Sequence, residues 1–433
     1  MKTVLFIILP YPSHYNACFG LAPEFKKRAY RVVFTGYPHL QNHVEQQGFE
    51  FCRLNYTTEY SIKTVKSFVS HLFLAMLDRR AVIKRYRFWY RSVIEIRKVY
   101  MEYRPEKIFI DAHLSHYYLY LYAYRQSVTI LSTKLSTKKT PNIPPINSFY
   151  IPKDTALSRL ICALLWKRHI IKIEIRWWIN KVAFLGRDEA YFQKRLCKKY
   201  DLLWKEVFEK KNIAFIGLKN VPTIILGTEA LEFPQRKKLP YERYISFPIK
   251  RNEEKYFSEE YRLTRERIIA LKLQSNCQVI YCSFGTLSSL HLKKVALFIK
   301  KLIDVVEPHD DLALVISTSN LNSSFLVNSH HIFVFKQVPQ LDILQYSDMM
   351  ITHGGHNSIK ECLQAGVPML VYPLNKKVDQ PGNAVRVFVN GHGLFGKIDK
   401  DKPEVILGKI NRIFSIKEKM RQKCRSDESI QLL

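Results

Sequence analysis

Buried parallel strands read as unbroken apolar runs, and helices as apolar positions recurring every three to four residues. The chain carries two series of such runs. Val4–Leu9, Arg31–Thr35, Phe49–Leu54, Lys107–Asp111, Val128–Leu131 and Thr223–Thr228 make the first. Gln278–Thr286 (a strand and its turn), Leu312–Ser317, Ile332–Phe335, a run ending in Met349-Met350-Ile351, and Met369–Tyr372 make the second. Helical stretches are predicted through Phe19–Arg28, over about 60–104 and 155–200, at Leu290–Val306 and after Pro403, with Pro10–Asn16 as a loop. Strands alternating with helices predict an α/β protein on parallel sheets. At 433 residues the chain is long for one domain and comfortable for two. The expected limits are 1–248, a charged linker over 249–275, a second domain over 276–402 and a helical tail over 403–433.

Composition adds a partner to this picture. Hydrophobic residues make up 47% of the chain, which supports full cores and excludes a disordered protein. Lys and Arg number 68 against 38 Asp and Glu, a net charge of +30. Such a surface attracts nucleic acid, an anionic bilayer or phosphorylated substrates. No nucleic-acid module accompanies the charge, so no nucleic acid is expected and an anionic membrane surface is the favoured partner. Two regions concentrate the cations among apolar residues. One has Arg79, Arg80, Lys84, Arg85, Arg87, Arg91, Arg97 and Lys98 interleaved with Phe68, Leu72, Leu74, Val82, Ile83, Phe88 and Trp89. The other has Trp166, Lys167, Arg168, His169, Arg176, Trp177, Trp178, Lys181 and Arg187. Both suit solvated helix faces, and both suit helices lying at a bilayer interface. No apolar run approaches the roughly eighteen residues of a membrane span. Met1–Leu9, followed by Pro10-Tyr11-Pro12-Ser13-His14, reads as a first strand rather than a secretory signal. A cytoplasmic protein, peripheral on the inner face of the membrane, is the expectation. Eight cysteines without a Cys-x-x-Cys pair read as reduced and buried.

Candidate chemistry gathers in Gln337–Ala384. A buried strand runs into Thr352-His353-Gly354-Gly355, and a helix follows from Asn357-Ser358. Strand, glycine turn and helix leave backbone N–H groups and the positive end of a helix dipole at one crevice, a site for a diphosphate. Glu361, a turn into that helix, is placed to accept hydrogen bonds from ribose hydroxyls. Asp379 and Gln380 follow the next apolar run and reach the same sheet edge, where sugar hydroxyls could be held.

This block resembles the nucleotide-sugar box of the inverting UDP-glycosyltransferases. Asp379-Gln380-Pro381-Gly382-Asn383-Ala384-Val385-Arg386 looks most like the bacterial macrolide and carotenoid enzymes. The resemblance implies the GT-B architecture, two Rossmann-like domains facing a cleft, with the tail crossing back to the first domain. It implies a hexosyltransferase that uses a UDP-sugar as co-substrate, with no cofactor and no metal, and a lipophilic small-molecule acceptor. His353, Gly355, Asn357 and Ser358 would meet the diphosphate and Glu361 the ribose. Val338 and Gln340 would meet uracil and ribose, and Ser283, Gly285 and Thr286, a second glycine turn, the other phosphate oxygens. Asp379 and Gln380 would hold the sugar, the glutamine leaning towards glucose. Gln337 stands where many relatives place tryptophan, which leaves UDP open against another pyrimidine diphosphate.

His14 lies just after the first strand, at the edge where open α/β sheets bind ligands, and imidazole exchanges its proton nearest neutral pH. In the family a histidine in this loop is the general base, and Asp111 matches the acid that holds its other ring nitrogen. The plain alternatives are a polar loop residue for His14 and a helix N-cap for Asp111. Asp111, His113 and His116 also have the residue types of a metal cluster, but zinc sites usually draw a ligand from elsewhere. Asp399-Lys400-Asp401 is expected to cap the helix after Pro403 rather than hold a metal. A catalytically silent partner of another glycosyltransferase and a sugar-nucleotide epimerase are the competing functions.

Overall fold

The structure, a computed structural model, describes residues 1–54, 79–209, 217–247, 257–274, 276–285, 291–318 and 329–427. The expected helix before residue 79, with Phe68, Leu72 and Leu74, lies outside them, as do the side chains of 79–88, linker residues 249–256 and 275, Thr286, and 428–433. Two compact units divide the chain. The first comprises Met1–Pro145, Asp154–Leu226 and Lys237–Tyr244, the second Ile146–Lys153, Gly227–Arg236 and Ile245–Leu433.

In chain order the first series of strands is β1 (Thr3–Ile7), β2 (Arg31–Gly36), β3 (Glu50–Arg53), β4 (Lys107–Asp111), β5 (Val128–Ser132), β6 (Phe208–Glu209), β7 (Gly217–Leu218), β8 (Thr223–Leu226) and β9 (Glu242–Ile245). Seven form one sheet in the order β3-β2-β1-β4-β5-β8-β9, and β6 and β7 pair as an antiparallel ribbon. β1 runs parallel to both β2 and β4, with Phe6 opposite Phe34 and Phe109. The two-residue period splits the core. On one face the Phe6 ring stacks on Phe34 at 4.6 Å and on Phe109 at 5.0 Å. On the other, Leu5, Ile7, Ile108 and Ile110 meet Trp89, Val93, Ile96 and Val99 of helix Arg79–Tyr103, apolar at helical spacing.

The second series is β10 (Gln278–Ser283), β11 (Leu312–Ser317), β12 (Ile332–Phe335), β13 (Met349–Thr352), β14 (Met369–Val371) and β15 (Gly393–Phe395), in the order β12-β11-β10-β13-β14-β15. All its pairs are parallel. Helix Leu292–Val306 lays Val295, Phe298, Ile299, Leu302 and Val306 into this core, and helix Pro403–Ser415 adds Ile406, Ile410 and Ile413. In each sheet the strand order reverses at one place, between β1 and β4 and between β10 and β13. Crevices at the carboxyl ends of such switch points are where ligands of open α/β sheets bind.

Several expectations change. Pro12 starts helix Pro12–Cys18, because its fixed φ suits a first helical turn, so His14 stands in that turn rather than in a loop. The single helix expected over Phe19–Arg28 is the separate piece Ala22–Lys27. β9 and β15 escape a search for apolar runs, one carrying Glu242 and Arg243 and the other only three residues long. Asp399 and Asp401 do not cap the following helix: its N-cap is Lys402, with no side-chain bond. Asp399 pairs with Lys294 instead, and Asp401 with Lys409 and the Tyr372 hydroxyl. Lys417 and Arg421 of helix Lys417–Asp427 join Lys272 around the buried Asp348 carboxylate.

Candidate active site

The first unit brings His14 and Asp111 together from 97 residues apart. His14 Nδ1 lies 2.6 Å from Asp111 Oδ2 and 3.2 Å from Thr133 Oγ1. β1 delivers the histidine and β4 ends on the acid, so the pair stands at the switch point of the sheet. Asp111 is fully buried. Its other oxygen accepts from the His113 backbone N–H at 2.9 Å and lies 3.0 Å from His113 Nδ1. Burial alone would favour a neutral carboxyl, but the two histidines and their hydrogen bonds outweigh it and hold Asp111 well below the usual carboxylate range. Burial pushes the His113 ring down, against the pull of Asp111. Asp111 also caps the 3₁₀ turn Ala112–Leu114, so the capping and pairing readings both hold. With Nδ1 occupied, Nε2 has no protein partner among the described residues and is the nitrogen that can take a proton from a ligand.

The ligand atoms of His14, Asp111 and His113 lie within 4.8 Å of one another, so this trio has the composition of a cation site. Its 2.6 and 3.0 Å separations are those of hydrogen bonds. His116 stands apart, buried, 3.9 Å from Glu189.

The second unit builds a turn with the chemistry of a diphosphate site. β13 ends in Thr352, the backbone turns through Gly354 at φ +83°, and helix His356–Ala365 begins with Gly355 as N-cap and no side-chain cap. A Cβ on Gly354 would lie 2.7 Å from Val371 Cγ1, so both the space and the conformation require glycine. Ser283, at the end of β10, leads into the second glycine turn at Gly285. The His353 ring lies against both turns: a Cβ on Gly285 would sit 3.0 Å from its Cε1, and one on Gly355 2.6 Å from its Nε2. Burial lowers the His353 pKa to about 4, against the pull of Asp379. Thr352 Oγ1, His353 Nδ1 and Asn383 Oδ1 are buried without a hydrogen-bond partner among the described residues. Buried polar atoms are nearly always satisfied, so three beside one turn mark a place for a ligand.

Gln340, Ser358 and Glu361 also meet. The Gln340 amide donates to Glu361 and lies 3.4 Å from Ser358 Oγ, while its carbonyl accepts from the Tyr281 hydroxyl at 3.3 Å. Burial pushes the Glu361 carboxyl up to about 7, offset in part by that amide. Asn357 and Ser358 occupy the first turn of the helix, half-buried, and Val338 is half-buried just before Gln340. Gln337 is exposed. Asp379 is tied by Asn383 Nδ2 (3.1 Å), which also bonds the Gly354 carbonyl at 2.9 Å. Gln380 is buried and its Oε1 accepts from the Leu374 and Asn375 N–H groups, both at 2.8 Å, so its amide nitrogen is the part left for a ligand.

Four contributors escape the sequence reading. Asn383 had a signal, its i,i+4 spacing from Asp379 at a helix start, and His113 had its place two residues after Asp111. Thr133 and Tyr281 come from distant segments, and nothing local marks them.

One comparison with known proteins falls on the second unit. Residues 287–431 match the glycosyltransferase family 28 C-terminal domain. The chain is 33% identical over 111 residues to an uncharacterized UDP-glucosyltransferase, YdhE, of Bacillus subtilis, covering 25% of this chain and 27% of that protein. It is 40% identical over 82 residues to human UDP-glucuronosyltransferase 3A2, covering 18% of this chain and 15% of that one. The chain therefore spans less than a third of the length of these relatives. The glycosyltransferase of kitacinnamycin has a similar fold, with a TM-score of 0.65 at 16% identity over 99% of this chain and 96% of that one.

Proposed function

We propose that the chain, which shares the GT-B fold, is a UDP-glycosyltransferase that moves a hexose from a UDP-sugar to a hydroxyl of a lipophilic acceptor, with inversion at the sugar carbon. The observation that carries the reading is the 2.6 Å contact between His14 Nδ1 and Asp111 Oδ2. A carboxylate on Nδ1 fixes the tautomer with a basic Nε2 and stabilises the imidazolium that forms. The acceptor hydroxyl gives its proton to Nε2 as its oxygen bonds to the anomeric carbon. The bond from that carbon to the β-phosphate oxygen breaks, and UDP leaves with the electron pair. Attack opposite the leaving group inverts the centre.

On the second unit, the N-terminus of helix His356–Ala365 and the His353 ring are the groups for the leaving diphosphate, where a metal would otherwise be needed. Glu361 and Gln340 would take the ribose, and Asp379 with the Gln380 amide the sugar, glucose by our reading. The lipophilic acceptor is inferred from the aromatic, basic character of the first unit. The net charge of +30 supports attachment to an anionic membrane surface at its inner face. Among the described residues no helix is long and apolar enough to cross a membrane.

The test is incubation with UDP-glucose and lipophilic hydroxyl acceptors, with and without chelator, with the product's anomeric configuration read by NMR. A β-glucoside formed equally in chelator is the expected product. An α-glucoside, or a divalent-metal requirement, overturns the mechanism. Conversion of UDP-glucose to another UDP-hexose without acceptor would identify an epimerase. No binding of any pyrimidine diphosphate would identify a silent partner.

A further inference from the structure

Helix Ala156–Ala183 in the first unit has two apolar faces. One is spent on the fold: Ser158, Cys162 and Trp166 are buried, and the Trp166 indole donates to the Ile143 carbonyl at 2.8 Å. The other is exposed. Leu157, Leu160, Leu164, Ile171, Ile175, Trp178 and Val182 lie between 37% and 67% accessible. Their spacings of three, four and seven residues place them within about 60° of one another on a helix of 100° per residue, opposite the buried face. The stripe is about 38 Å long at 1.5 Å per residue, far beyond the scattered apolar side chains of an ordinary surface.

Charge identifies what covers it. The helix carries Arg159, Lys167, Arg168, Lys172, Arg176 and Lys181 against one acid, Glu174. Long cationic side chains beside an apolar stripe keep their charge at a polar boundary while their stems cover apolar surface. At the C-terminal end of the stripe lies an open cleft of about 740 Å³, its lining including Trp177, Trp178, Trp204, Lys181, Lys194 and Lys205. Indoles and ammonium groups are the side chains that settle among lipid headgroups. A second copy of the chain would bring like charges face to face along the stripe, which is unfavourable.

We infer that this helix is a membrane-docking face, lying along an anionic phospholipid surface with its exposed stripe among the acyl chains and headgroup phosphates at the lysines of the cleft. The inference rests on the membrane part of the reading above and is separate from the transfer chemistry. It assigns the attachment to one stripe and leaves Trp166, which is buried, out of it.

The test uses the full chain and sedimentation with vesicles of phosphatidylcholine alone or mixed with phosphatidylglycerol. Wild type should partition onto the anionic vesicles about tenfold better, with the difference shrinking as salt is added. The triple variant Leu160→Glu, Ile175→Glu, Trp178→Glu should lose about tenfold or more of that binding. Lys181→Gln, Lys194→Gln and Lys205→Gln together, all three side chains being exposed, should lose most of the preference for anionic lipid. UDP titrations by calorimetry should be the same for all three proteins. Absence of vesicle binding by wild type, equal binding to both vesicle types, or wild-type binding by the triple-glutamate variant each overturns the docking face. So does a wild-type dimer in sedimentation velocity that the triple-glutamate variant abolishes. Vesicle binding without any UDP binding would leave the docking face standing and sink the donor-site reading.

Discussion

Asp111 holds His14 with one carboxylate oxygen and His113 with the other, at 2.6 and 3.0 Å, from a position closed to solvent. A single buried charge thus orients two imidazoles. Replacing it with the isosteric amide, Asp111→Asn, removes the charge that favours imidazolium and lets the amide N–H face Nδ1. We expect kcat to fall by roughly two to four orders of magnitude with little change in KM for the UDP-sugar. His113→Ala removes only the ring contact to the second oxygen, which keeps the backbone N–H of residue 113, and about a three- to tenfold loss in kcat is expected. Steady-state kinetics with saturating acceptor checks both.

Glu361 sets a pH dependence on the donor side. Burial raises its pKa from 4.5 to about 7 in the ligand-free protein. The folded state therefore favours the protonated form: this group's stabilising contribution is full below 4.5 and is lost as the pH rises through about 7. Ribose hydroxyls donate best to the ionised carboxylate. UDP affinity should accordingly rise as pH increases through about 7 and then level off. Calorimetry of wild type against Glu361→Gln measures this, and the variant should bind weakly with the rise abolished.

The glycine turns are the next point of test. Gly355→Ala puts a methyl 2.6 Å from His353 Nε2 and should displace the ring, weakening UDP binding by about tenfold. Gly354→Ala adds a left-handed φ of +83° to a 2.7 Å clash with Val371. A stability loss of about 1–3 kcal/mol is expected, read from thermal unfolding.

Glu232 and Arg386 form a buried ion pair in the second unit at 3.0 Å, with the guanidinium 4.4 Å over the Phe233 ring. Removing either partner alone strands a buried charge. Arg386→Ala should cost about 3–5 kcal/mol, seen in the unfolding transition that UDP shifts upwards.

These predictions rest on residues of unequal legibility. The central strands were readable because buried parallel strands carry an unbroken apolar stretch, as at Ile108–Ile110 within Lys107–Asp111 and Leu312–Ile316 within Leu312–Ser317, and the limits of both strands agree with the structure. The diphosphate turn was readable because strand, glycines, helix start and Glu361 are consecutive. β9 and β15 carry too few apolar residues to signal, and their place comes from pairing. The His353 ring against Gly285, the Tyr281 hydroxyl on Gln340 and Thr133 beside His14 are contacts between distant segments, which local spacing cannot encode. The apolar stripe of Ala156–Ala183 was visible as mixed cations and aromatics, but only exposure separates Trp178 from Trp166.

The most direct measurement is acceptor-dependent UDP release by His14→Ala beside wild type, with UDP binding to both proteins confirmed by calorimetry. If His14 is the base, release falls by about two to four orders of magnitude while UDP affinity stays unchanged. Wild-type release by the variant would contradict the account.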